Sequence, residues 1–274
     1  MVTLYGKMRA PALVVGAATL ICAMKPIPAM AQELIPYPRA NRLTARVAAT
    51  AELLGLDSMR VSHTLHNDKA SYQRAHLLVV RTNAASAAQA SGPWLYKTGT
   101  MQGWNAIAWV STDSATDVAP ADSVVGLSYE VVGEPDAVNY YVQGWVPPPE
   151  LEPGVPNPYR PSLPVWQDSF SGWTLGAVPL GNMGAPNLAE RLVAATSKAC
   201  ADPDFINEPT VCENPNSRPR LAERASLENN LPAACTNLEA LIAEVAALSD
   251  AVITPEGRAL LTIRAQQFIR RHCT

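Results

Sequence analysis

Between residues 59 and 146 short apolar runs recur, each bounded by Gly, Pro, Asp or Ser. In the first, Met59, Val61, His63 and Leu65 alternate with Arg60, Ser62 and Thr64. A period of two sends successive side chains to opposite faces of a strand. After a turn at Asn67-Asp68, residues 76–82 (HLLVVRT) read as a second, more buried strand. Runs at 94–98, 104–111, 124–132 and 138–146 predict four more. Gly133-Glu134-Pro135-Asp136 divides the last two, and its turn-forming residues predict a hairpin. Several short strands separated in this way predict a small antiparallel sandwich or barrel.

Helical spacing occurs on both sides of this region. Asn41 is placed to cap a helix running through Leu54, with Leu43, Val47, Leu53 and Leu54 apolar and Gly55 as its stop. Residues 187–201, 218–228 and 234–252 read as helices. In the third, Leu238, Leu241, Ile242, Val245 and Leu248 form one apolar stripe. Thr254-Pro255-Glu256 then supplies a cap, a proline at the first helical position and an early acid. A last helix runs through His272, with Leu261, Ala265 and Phe268 on one face. The short link between the final two predicts a helical hairpin.

Residues 147–164 hold eight prolines in 18 positions. Proline removes backbone donors, so this passage is neither helix nor sheet interior and favours polyproline II. Residues 172–184 carry no period. The pattern therefore predicts an α+β protein: a small antiparallel β-sandwich or barrel, then a proline-rich strap, then a disulfide-stapled α-helical module. Its divisions are a signal peptide at 1–31, a β-rich module with an N-terminal helix at 32–146, the strap or linker at 147–184, and the helical module at 185–274.

The start of the chain adds a compartment. Lys7 and Arg9 precede an apolar run at 11–24, and Ala29-Met30-Ala31 fits a small-x-small cleavage pattern. The apolar run is shorter than the ~20 residues of a membrane-spanning helix. Cleavage after Ala31 leaves 18 basic against 24 acidic side chains, a balance that disfavours a nucleic-acid partner. It also leaves Cys200, Cys212, Cys235 and Cys273, an even set that reads as two disulfides in an exported chain. The helical hairpin brings Cys235 to Cys273, which leaves Cys200 for Cys212. The two other connectivities stay open. Export to the periplasm or the cell exterior follows.

Candidate chemistry is sparse. Lys97-Thr98-Gly99 resembles the Lys-Thr-Gly strand of serine β-lactamases and penicillin-binding proteins. No Ser-x-x-Lys accompanies it, so an ordinary strand end is the reading adopted. His63, His66 and His76 offer imidazole donors for a metal, but His63 and His66 face opposite ways on one strand. The catalytic set is empty, and no cofactor is expected. The aromatic residues give the strongest hint, because all six Trp lie from 94 to 173, and between Lys97 and Arg160 there are eight acids and no base. Trp94, Trp104, Tyr140, Tyr141, Trp145, Tyr159 and Trp166 are the candidate recognition residues, since such rings anchor proteins or stack on sugars. The expected function is a non-catalytic envelope or surface component that binds protein partners. A glycan-binding module is the alternative, and a secreted hydrolase assembled from distant residues stands behind both.

Overall fold

The computed structural model describes residues 41–144, 167–201, 205–207 and 217–273. Nine strands and four helices are present among the described residues. The strands are β1 (Ala45–Leu53), β2 (Ser58–Asn67), β3 (Ala75–Arg81), β4 (Ala85–Gln89), β5 (Trp94–Met101), β6 (Trp104–Ser111), β7 (Ser123–Val132), β8 (Glu134–Gly144) and β9 (Phe170–Val178). The helices are α1 (Ala185–Cys200), α2 (Arg218–Leu227), α3 (Leu231–Ala247) and α4 (Pro255–His272). One antiparallel sheet runs β1-β2-β7-β4 and the other β5-β6-β3-β8-β9.

The predicted helix from Asn41 is corrected to a strand. Ala45, Val47 and Ala49 are buried while Arg46 and Thr50 are exposed, a period of two carried largely by alanines. β1 pairs along its whole length with β2, from Ala45 opposite Asn67 to Leu53 opposite Met59. Asn41 caps no helix, and its side chain accepts from the Gly144 amide at 3.3 Å.

The predicted hairpin at Gly133-Glu134-Pro135-Asp136 is also corrected. β7 pairs with β2 and β4, whereas β8 pairs with β3 and β9. Gly133 is where the chain passes from one sheet to the other, and Glu134, Pro135 and Asp136 open β8. Proline is tolerated there because β8 at that point pairs with β9 alone, as β3 reaches only to Tyr140.

Part of the stretch read as unpatterned is β9. Its alternation is interrupted by Gly172 and Gly176, which lie beneath neighbouring side chains. A Cβ at Gly172 would sit 2.6 Å from the Tyr140 hydroxyl, and one at Gly176 would sit 2.4 Å from Val138 Cγ2. The proline-rich passage itself, 147–164, falls outside the described residues.

The sandwich core is built on Trp109, Tyr129, Leu78, Ile107 and Leu127, all fully buried. In the helical part Phe205 and Phe268 serve, so two of the three Phe pack there. α3 and α4 form the expected hairpin, closed by Cys235–Cys273 with Cα atoms 5.8 Å apart. Cys200 is also disulfide-bonded. Its expected partner Cys212 lies outside the described residues.

Candidate functional site

The sandwich has two lateral edges, and they are finished in opposite ways. At one, β1 and β9 lie together and the helices cover them. Glu256, on the first turn of α4, is buried and accepts the Ala49 amide of β1 at 2.8 Å. Gln267 donates to the Gly133 carbonyl at 3.0 Å, and Arg264 donates to the Pro135 carbonyl at 2.7 Å. Glu134 is 1% exposed and takes hydrogen bonds from Arg191 at 2.6 Å and Arg264 at 2.7 Å. Burial lowers the pKa of the Arg264 guanidinium, and the Glu134 carboxylate beside it opposes that shift. A buried carboxylate needs such partners, because an unpaired charge in a dry interior is strongly unfavourable.

At the other edge stand β4 and β5. β4 is short and bulged, with Ala87 at φ 42°. Short, irregular edges resist pairing with another strand. β5 is eight residues long and pairs in unbroken register with β6. Leu95 is 60% exposed, Tyr96 is 49% exposed, and residues 97–100 are exposed too.

Which backbone groups of β5 point outward follows from its turn. Met101 lies opposite Trp104 across Gln102 and Gly103, both at positive φ, a two-residue hairpin of the type I′ kind. The residues flanking such a turn form a hydrogen-bonded pair, and the pairs alternate from there. Met101, Gly99, Lys97 and Leu95 therefore bond to β6. Two neighbouring bonds keep the same alternation: Thr112 N–H reaches the Pro93 carbonyl, and Trp94 N–H turns away to Ser91. Tyr96, Thr98 and Thr100 present their N–H and C=O groups to the free edge, where no described strand meets them. Beside them is a cleft of about 240 Å³ lined by Asn83, Ala84, Ala85, Thr98, Thr100 and Asn105.

The residues singled out from sequence are dispersed. Trp94 and Tyr140 are buried in the core, and the Tyr140 hydroxyl donates to the Ala45 carbonyl at 2.9 Å. Trp104 and Tyr141 come together, stacked with centroids 6.1 Å apart, and Arg81 lies 5.6 Å over Trp104. Trp145, Tyr159 and Trp166 lie outside the described residues. His63 sits in the core between Trp109 and Tyr129, with neither ring nitrogen partnered, and burial pushes its pKa down to about 3. His66 is exposed. His76 Nδ1 lies 3.0 Å from the buried Asp117 carboxylate. The three imidazoles do not converge, and no group of three metal-ligating side chains exists among the described residues. The His76–Asp117 couple could hold a base in place, but the nearby Ser111 hydroxyl is taken up by the Asp113 carbonyl and Thr116.

Sequence reasoning missed the free edge. Its one signal was β5 turning from apolar to polar over residues 97–100, around the Lys-Thr-Gly triplet. No protein-family model and no curated protein matches the chain. Among solved structures, it is similar to an uncharacterized protein from Nocardia farcinica whose structure reveals an immunoglobulin-like fold. That likeness spans 48% of this chain and 99% of the other at 11% identity, with a TM-score of 0.28, too low to support an argument. No helix among the described residues is long and apolar enough to cross a membrane.

Proposed function

We propose that this protein is an exported, non-catalytic component of the cell envelope or surface that works by binding other proteins, with β5 as its binding edge. The observation behind this reading is the row of outward N–H and C=O groups at Tyr96, Thr98 and Thr100, which no described strand pairs. An exposed edge of this kind is a template for another strand, with main-chain bonds giving affinity and alternate side chains giving selectivity. The signal-like start of the chain and the Cys235–Cys273 disulfide support export.

Glycan binding is the second reading, supported by the Trp104–Tyr141 stack beneath Arg81. A photo-crosslinking residue at position 95, introduced in the native envelope, separates the two. Adducts with defined proteins that vanish when Thr98→Pro is added support the edge. Adducts unaffected by Thr98→Pro refute it, and polysaccharide-dependent quenching lost in Trp104→Ala would favour the glycan reading.

A further inference from the structure

The free edge of β5 is complementary to itself. We infer that two copies of this chain associate by antiparallel pairing of β5 with β5 about a twofold axis at Thr98, joining their five-stranded sheets into one of ten. The inference rests on β5 being the binding edge, and it names the occupant.

The register follows from three constraints. First, the outward-pointing groups belong to Tyr96, Thr98 and Thr100, as the hairpin turn and the Pro93 and Trp94 bonds require. Only a register that sets these positions against one another pairs them all. With Thr98 opposite the partner's Thr98, Tyr96 falls opposite the partner's Thr100, and every outward N–H and C=O of the three positions is used. Second, Lys97 is the one charged residue of β5. Sliding the pair to centre on Lys97 would set two ammonium groups face to face, which is unfavourable. Centred on Thr98, each Lys97 stands opposite the partner's Gly99. Nothing lies within 4 Å of the Cβ position of Gly99, so the lysine stem has room to lie across it. Third, the same register matches apolar with apolar, since the exposed Leu95 meets the partner's Met101. Sliding the other way, to centre on Gly99, leaves Tyr96 beyond the partner's strand.

The side chains agree with this pairing. Tyr96 shares the inner face with the core residue Trp109, which lies opposite it on β6. In the pair, the partner's Tyr96 stands next to Thr100 at the rim of the ≈240 Å³ cleft. A half-exposed ring and an open cleft cover each other twice, as an isologous interface requires. Among the other edge strands, β1 is engaged by Glu256 of α4, β4 is short and bulged, and β9 packs against β1 and α4.

Sedimentation of the purified full chain over a concentration series should show a reversible monomer–dimer equilibrium. Oxidised Thr98→Cys should form a covalent dimer, because Cα atoms of a hydrogen-bonded antiparallel pair are about 5.5 Å apart, within disulfide reach. Lys97→Cys and Gly99→Cys should each form no covalent dimer alone and cross-link when mixed. Thr98→Pro removes an N–H that faces away from β6, so it should weaken self-association by about a hundredfold or more. If that variant melts well below the parent, Thr98→Lys replaces it, setting two charges on the axis. A chain that stays monomeric while its β5 edge cross-links a different protein overturns this inference and leaves the binding-edge reading standing. A dimer indifferent to Thr98→Pro and Thr98→Lys, or one in which Lys97→Cys links to itself, overturns it too.

Discussion

The two lateral edges of this sandwich solve the same problem differently. A sheet edge carries a row of unpaired polar groups, and these must be satisfied or exposed to water. At β1 the chain supplies its own partners, with Glu256 on the Ala49 amide and the Tyr140 hydroxyl on the Ala45 carbonyl, while Gln267 and Arg264 meet the Gly133 and Pro135 carbonyls and the Glu134 carboxylate where β7 passes into β8. These groups are dry, so each depends on the other. At the β5 edge no described residue supplies a partner for the outward groups of Tyr96, Thr98 and Thr100. The difference separates what holds the molecule together from what it can offer to another. Substitutions at the closed edge should act on stability, and those at the open edge on association.

The largest effect is expected at Glu134. Glu134→Ala leaves the buried Arg264 and its neighbour Arg191 without their shared carboxylate. Breaking a buried pair by removing one partner typically costs about 3–5 kcal/mol. Denaturant unfolding at neutral pH measures it, and a loss below about 1 kcal/mol would mean that the closed edge does not depend on this knot.

Next comes the staple across the helices that cover that edge. Cys235→Ala with Cys273→Ala opens a link between residues 38 apart in sequence. About 2–4 kcal/mol should be lost, by the usual magnitude for a disulfide. Thermal unfolding of the double variant against the oxidised parent reads this directly. Equal melting temperatures would show that α3 and α4 stay docked without the bond.

A pH effect follows from His63, which lies in the core between both edges. Its folded pKa is about 3, below the ordinary 6.5, so between those values the unfolded chain binds a proton that the folded chain does not. Stability is therefore full above pH 6.5 and falls as the pH drops toward 3, by about 1.4 kcal/mol per unit from this group. His63→Leu should flatten that limb while changing stability little at pH 8. An acid limb of unchanged slope in the variant would assign the loss to other groups.

How far the sequence disclosed this architecture depended on side-chain size. β2 was legible because large apolar residues alternate in it, and β3, β6 and β7 because their apolar runs are bounded by turn-forming residues. β1 was misread because Ala45 and Ala49, small and helix-favouring, carry its inward face. β9 was missed because Gly172 and Gly176 make way for Tyr140 and Val138, neighbours more than 30 residues away in sequence. Glu134 looked like a turn residue, since the arginines that bury it lie 57 and 130 positions along the chain. The open edge was hidden for a related reason. Nothing local to Tyr96, Thr98 and Thr100 says that β5 ends its sheet, because being last is a property of strand order.

The smallest stability effect, and the sharpest contrast with Glu134, is expected at the open edge. Leu95→Lys replaces a side chain that is 60% exposed, so the ammonium group can reach water. In the monomer, measured at a concentration too low for self-association, unfolding should shift by no more than about 0.5 kcal/mol, as for other surface substitutions. At higher concentration the same variant should self-associate more weakly, because Leu95 loses its apolar match with the partner's Met101. A stability loss comparable to that of Glu134→Ala would mean that β5 is held by packing its exposure does not reveal, and the two edges would no longer differ in kind. A small loss in the monomer together with a weaker dimer would locate the contribution of Leu95 in association.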